Sequence, residues 1–375
     1  MKLPSFNPPI GVIKVGALIY ASIAGCLHSF SSDIVWLRSE YDYGVIEESN
    51  GKTEGKISFV NVGNSPTFIV AVKPGCGCTT ASYTEGNILP GDTATVAVVY
   101  DPEGRPGKFT KSIKVYIGED KELHTIGISG VVMPTLETLS LRYPHGSQNL
   151  RLEKREEQAG KILKGRNRHF FINAYNNGND ILRIMAKCEN GKALDPEFVP
   201  ETLLPYESGV LSMYLNTSEE SLFGPVSYNI KVTAEGRNHE IQEEKVTLNV
   251  VVAPQQSYEA KAHNGYIAVR NASYNMGEDL QDGYGNFEFE IENQGDAPLE
   301  IWSVFSQDDR IIITESPEEI GAGKRAKIAG ALNLHQISEG PFRIKVNVYS
   351  NDPLHPDTEL NVIGIKGASS EMDVD

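Results

Sequence analysis

Two of the chain's four cysteines stand one residue apart, in "VKPGCGCTTAS" from Val72 to Ser82. Cys76 and Cys78 are the side chains whose type and spacing point most directly to chemistry. In an extended strand, residues two apart share a face, with Cα atoms about 6.6 Å apart. That is near the upper limit for a disulfide. Gly77 lets the chain bend and bring the two sulfurs together. A ring that small is strained and easily reduced. An oxidising compartment favours the bond, and a reducing one leaves two thiols. Structural zinc is usually four-coordinate, and this pair supplies only two ligands. Cu(I) accepts two soft sulfurs, but no neighbouring Met or His completes a motif. A structural corner or a redox-sensitive disulfide stands ahead of a metal half-site, and no metal is expected. Pairing with Cys188 would require the first two domains to fold back on each other.

Other reactive constellations are missing from the sequence. The eight histidines are scattered, with no His-x-x-x-His pair. There is no Gly-x-Ser-x-Gly elbow, no P-loop, and no Gly-x-Gly-x-x-Gly after a strand. The carboxylates of "EDKE" (Glu119–Glu122) and "SPEE" (Ser316–Glu319) fall in turns. A glycosidase-type pair is assembled in space and is not visible at this level. The stretch "GEDLQDGYGN" offers Asp279, Asp282 and Asn286 as oxygen donors, but not at EF-hand spacing, so it reads as a solvated hairpin loop. No enzyme and no cofactor are expected.

The chain has 375 residues and a net charge of -16, which disfavours nucleic acid and anionic membrane surfaces as partners. Its first residues read as an export signal: Lys2 and Lys14 are basic, and "VGALIYASIA" (Val15–Ala24) is an apolar run of h-region length. "IAGC" (Ile23–Cys26) resembles a bacterial lipobox, which would make Cys26 the lipidated first residue. Plain secretion, with cleavage near "SFSS" (Ser29–Ser32), is the alternative. "DTA" (Asp92–Ala94) resembles a glycosylation sequon of some Gram-negative bacteria, with Thr93 as the acceptor.

The elements that must position these residues come in three copies. "NVGNSP" starts at Asn61, "NNGNDI" at Asn176 and "NQGDAP" at Asn293, at offsets of 115 and 117 residues. Each follows an alternating run: "GKISFV", "RHFFINAY" or "NFEFEIE". Further alternating runs start at Gly107, Gly224 and Gly340, and "GISG" (Gly127–Gly130) aligns with "GIKG" (Gly364–Gly367). Alternation places one face of a strand in a core and the other in water. About seven such strands in a unit of this size is the rhythm of an immunoglobulin-like sandwich. The charged stretch Arg151–Lys164 reads as strand, not helix. The predicted fold is all-β: three tandem immunoglobulin-like β-sandwich domains after an N-terminal signal segment. The boundaries are 1–25 for the signal, then 33–134, 135–254 and 257–367 for the domains, and 368–375 for an acidic tail. Pro134 and Pro254 mark the joints.

The first unit resembles the exported bacterial domain-of-unknown-function fifteen-seventy-three family. The resemblance lies in "FVNVGNSPTFIVAVKPGCGCTTASY", "ILPGDTATVAVVYDPEGRPGKFTKSIKVYI" and "IGISG". It implies an exported β-sandwich and supplies no activity. The third unit is similar but has "FSQDD" (Phe305–Asp309) where the cysteines would be, and the middle unit has the single Cys188. The functional expectation is a non-enzymatic, exported envelope protein, an interaction or spacer module. It would be lipid-anchored in the periplasm or outer membrane, with an envelope protein or glycan as partner. The alternative is a thiol-redox or metal-handling protein centred on Cys76 and Cys78.

Overall fold

The computed structural model describes residues 33–146, 149–257 and 263–367. The stretch read as an export signal, Cys26 and the acidic tail lie outside the described residues. Eight strands form the first domain: β1 (Ile34–Trp36), β2 (Glu40–Glu47), β3 (Thr53–Asn61), β4 (Ile69–Pro74), β5 (Thr79–Tyr83), β6 (Thr93–Tyr100), β7 (Gly107–Ile117) and β8 (Glu122–Met133). A helix, α1 (Leu136–Arg142), follows. The second domain holds β9 (Leu150–Leu152), β10 (Glu156–Leu163), β11 (Asn167–Asn176), β12 (Leu182–Cys188), β13 (Leu194–Val199), β14 (Thr202–Leu203), β15 (Ser208–Asn216), β16 (Gly224–Glu235) and β17 (Ile241–Ala253). The third holds β18 (Ile267–Val269), β19 (Ser273–Asn275), β20 (Tyr284–Asn293), β21 (Leu299–Phe305), β22 (Ile311–Glu315), β23 (Glu319–Ile320), β24 (Arg325–Asn333), β25 (Gly340–Ser350) and β26 (Asp357–Lys366).

Each domain is two sheets face to face. The first pairs β1-β3-β6-β5 with β2-β8-β7-β4. The second pairs β13-β15-β11-β9 with β10-β17-β16-β12-β14. The third pairs β18-β20-β24-β22 with β19-β26-β25-β21-β23. In every domain an early strand lies parallel to the last one: β2 on β8, β10 on β17, β19 on β26. The remaining ladders are antiparallel. This is the immunoglobulin-like sandwich expected from the alternation. Along β3, Gly55, Ile57, Phe59 and Asn61 are buried while Glu54 and Lys56 face water. Three separate apolar cores result, one per sandwich. Arg151–Lys164 is β9 and β10, as read from the sequence.

The Asn of each repeat has a common task. Asn61, Asn176 and Asn293 are fully buried. Each side-chain oxygen accepts the N–H of the glycine two residues on: Gly63 at 3.0 Å, Gly178 at 2.9 Å and Gly295 at 2.9 Å. Each amide nitrogen donates to the carbonyl four residues on and to a second one 27 residues on: Ile88 at 2.9 Å, Leu203 at 3.3 Å and Ile320 at 2.8 Å. Just beyond lies a residue with positive φ whose N–H donates to the Asn carbonyl: Gly91, Tyr206 or Gly323. Tyr206 accepts that conformation without being glycine, and its ring packs in the joint between domains.

Two details depart from the sequence reading. The glycine that must be a glycine near the end of the last strand is Gly130 in the first domain and Gly364 in the third. Each lies under a phenylalanine ring, Phe109 or Phe342, where a Cβ would come within 2.9 or 2.8 Å. The equivalence is therefore Gly130 with Gly364, not Gly127 with Gly364. Second, helix α1 occupies what reads as a plain linker. Thr135 caps it, accepting from the Thr138 N–H at 3.2 Å.

Candidate functional site

Cys76, Gly77 and Cys78 make the turn between β4 and β5, which are edge strands of opposite sheets. The turn thus carries the chain from one layer of the sandwich to the other. The two sulfurs are bonded to each other, with Cα atoms 5.3 Å apart. Cys78 is buried in the first core and Cys76 packs against it half-buried. Thr79, also buried, places its Oγ1 3.3 Å from Cys76 Sγ. The carbonyl of Cys78 accepts from the Asp101 N–H at 2.9 Å. Gly77 is exposed, its φ lies outside the left-handed region, and a Cβ there would meet nothing within 4 Å. The tight position is Gly75, where a Cβ would stand 3.1 Å from the Ser112 carbonyl oxygen on β7.

The other two domains make the same crossing with other chemistry. In the second, β12 leads to β13 through Asn190. Its amide donates to the Ser227 carbonyl at 2.7 Å, and its oxygen accepts from the Asn229 N–H at 2.6 Å. Cys188 beside it carries a free thiol. In the third, Ser306 Oγ donates to the Lys345 carbonyl at 2.7 Å, and Arg310 grips the Asp308 carboxylate from Nε and Nη2 at 2.8 and 2.6 Å. That contact holds Asp308 below the usual carboxylate range. Ser112, Asn229 and Lys345 lie at matching places on β7, β16 and β25, each five residues after the strand's first glycine. A covalent ring, an amide and a hydroxyl with an ion pair therefore hold one and the same corner.

Among the described residues, no group of three His, Cys, Asp or Glu side chains is placed to share a metal ion. Bonded to each other, the sulfurs are not free as metal ligands, and among the described residues no other group around them points to the thiol-redox or metal-handling alternative. In the loop of Asp279 and Asp282, Asp282 is engaged by the buried Lys366 ammonium at 2.5 Å, which keeps its carboxyl below the usual range. Thr93 stands exposed as the first residue of β6.

The joints hold polar groups that sequence reasoning did not find. Glu48, buried, ends its carboxylate between the first domain and α1. Oε1 accepts from the Gly104 N–H at 2.6 Å and from Thr138 Oγ1 at 2.7 Å, and Oε2 accepts from the Thr135 N–H at 2.7 Å. Burial alone raises its pKa, but these hydrogen bonds outweigh burial and leave it below the ordinary value. Leu139, Tyr143, Tyr175 and Tyr206 pack together beside it. At the second joint, Phe223 stacks on Trp302 with ring centroids 4.3 Å apart, and Lys164 stands 4.8 Å from the Phe223 ring. Val251 and Ala253 pack there against Phe305 and Tyr349, and Lys161 pairs with Asp357.

A crystal structure of a protein of unknown function from Porphyromonas gingivalis W83 is similar at 14% identity and TM-score 0.45, over 58% of this chain and 99% of that one. The titin I-band fragment I67–I69 is similar at 12% identity and TM-score 0.21, over 89% of this chain and 97% of that one. A PapD-like domain of human CEP192 is similar at 9% identity and TM-score 0.26, over 29% of this chain and 89% of that one. The sandwich fold rests on the sheet pairings above rather than on these likenesses. A search of curated proteins finds no match. Residues 34–132 match the family model described as "Protein of unknown function (DUF1573)". That span covers β1 to β8 and the Cys76–Cys78 corner, so the match lies within the first of the three sandwiches.

Proposed function

We propose that this protein is a non-enzymatic, exported module of the cell envelope, in which three tandem sandwiches act as a spacer or interaction arm. The observation that carries the reading is the pair of built joints. Glu48 receives hydrogen bonds from both sides of the first, and Phe223 and Trp302 stack across the second. Free linkers would need neither, whereas domains held at a set distance need both. The lipobox-like "IAGC" adds an anchor at Cys26, and the apolar run before it adds export. Among the described residues, no helix is long and apolar enough to cross a membrane. Thr93, exposed at a strand start, is an acceptor for O-linked sugar on this reading. The partner is an envelope protein or glycan.

Fractionation with mass determination of the purified chain tests this. The reading expects an envelope fraction, an N-terminus at Cys26, and palmitate labelling lost in Cys26→Ser. A cytoplasmic chain that keeps Met1 would overturn export, and cleavage near Ser31 would overturn the anchor. Small-angle scattering reads the joints: a single extended shape supports a spacer, and a broad distribution of shapes removes it.

A further inference from the structure

We propose that the outer face of the second domain's four-stranded sheet, centred on His169, Phe171 and Tyr214, binds a neutral oligosaccharide by ring stacking. Strand β11 turns His169 and Phe171 outward while Ile172 and Ala174 fill the core. In register, His169 lies across from Tyr214 on β15, and Tyr214 across from Asp195 on β13. The next row is Phe171, Ser212 and Glu197. The His169 and Phe171 rings are 6.2 Å apart with planes 10° from parallel. Tyr214 lies 4.8 Å from His169, and Asn167 Nδ2 donates to its hydroxyl at 2.6 Å.

The bland account is that cross-strand aromatic pairs steady a sheet. It covers His169 with Tyr214. It does not cover Phe171, which is 57% exposed and faces Ser212. The chain also carries its own controls. The positions matching His169, Phe171 and Tyr214 are Glu54, Lys56 and Val99 in the first domain. In the third they are Asn286, Glu288 and Ala331. There Lys327 pairs with Glu288 at 3.0 Å, and Arg325 with Glu292 at 3.0 Å. The fold is thus satisfied by hydroxyls, small residues or ion pairs on this face, and only the second domain sets three rings there.

The face combines aromatic rings with carboxylate and amide acceptors. A pyranose presents that pattern in complement: an apolar C–H face for the rings and a rim of hydroxyls that donate to Asp195 and Glu197. The two carboxylates repel a polyanion. The proposal needs neither export nor the Cys76–Cys78 pair, so it can fail without the envelope reading, and the reverse.

Affinity electrophoresis of the whole protein in gels containing mixed-linkage β-glucan, xylan, mannan or alginate tests it. The expected result is retardation by at least one neutral polymer. It weakens about tenfold or more in Phe171→Ala and in Tyr214→Ala, and is unchanged in Lys56→Ala. Because these positions are on the surface, thermal unfolding of all variants should match the parent, which separates lost binding from lost folding. No retardation by any neutral polymer, retardation by alginate alone, or retardation that Phe171→Ala leaves intact overturns the proposal. So does a dimer in sedimentation that Phe171→Ala dissolves, since the face would then belong to a second copy of the chain.

Discussion

The side-chain amide of Asn61 donates to the carbonyl of Ile88, 27 residues further along, at 2.9 Å. Asn176 and Asn293 repeat the contact with Leu203 and Ile320. One small side chain thereby fixes two turns of its sandwich to each other. It is buried, so its partners have no water to fall back on. Replacing Asn61, Asn176 or Asn293 by Ala should cost its own domain about 3 kcal/mol, because three side-chain hydrogen bonds of one buried amide are lost together. Urea denaturation of each variant reads this.

Gly77 is the glycine that the Cys-Gly-Cys pattern makes conspicuous, yet it needs neither positive φ nor empty space. Gly77→Ala should change stability by no more than about 0.5 kcal/mol. Gly75→Ala should cost more, because its Cβ would press on the Ser112 carbonyl oxygen at 3.1 Å. Thermal midpoints of the two variants, side by side, distinguish the positions.

The Cys76–Cys78 bond closes a very short loop, so cross-linking removes little freedom from the unfolded chain. Cys76→Ser with Cys78→Ser should lower stability by about 2 kcal/mol or less, and less than Asn61→Ala. The fold should survive, as it does at the same corner in the two domains that use Asn190 or Ser306. Mass spectrometry with and without reductant checks the bond itself, by a shift of two hydrogens.

Glu48 makes the first joint sensitive to acid. Its folded pKa lies below the ordinary carboxylate value, so it contributes stability above that value and loses it as pH falls through the folded pKa. The joint should therefore loosen only as pH falls below the ordinary carboxylate range. In Glu48→Gln it should be loose already at neutral pH, because an amide cannot accept the three donors that face the carboxylate. Limited proteolysis around residues 134–143, using an acid-active protease across the pH range, follows this.

Trp302 is one of two tryptophans. Trp302→Ala removes the stack with Phe223 and should open the second joint, leaving the third core standing. Scattering should show a wider spread of shapes, and the tryptophan fluorescence left would report Trp36 alone.

The strands were legible because alternation is local: Gly55, Ile57 and Phe59 announce a buried face without knowledge of what lies opposite. The same holds for the three-fold repeat, since Asn61, Asn176 and Asn293 sit in matching words of sequence. Their task was not legible, because it depends on a carbonyl 27 residues away. The corner at Cys76–Cys78 was visible, but its equivalence to Asn190 and Ser306 was hidden, since one task is done there by unrelated residue types. Helix α1 has seven residues, too few to display a helical period, and only Thr135 as a cap could have signalled it. Glu48 gave no sign at all: next to Glu47 it reads as one more surface acid, and it acquires meaning only from Gly104, Thr135 and Thr138.

The parallel pairs β2–β8, β10–β17 and β19–β26 have a mechanical consequence. A load applied to the two ends of such a domain pulls one strand of the pair against the other along their length. The ladder hydrogen bonds, which run across the strands, are then stretched together in shear instead of opening one by one like a zip. If the three domains were loaded in series, each would resist through the ladder of its parallel pair as a whole.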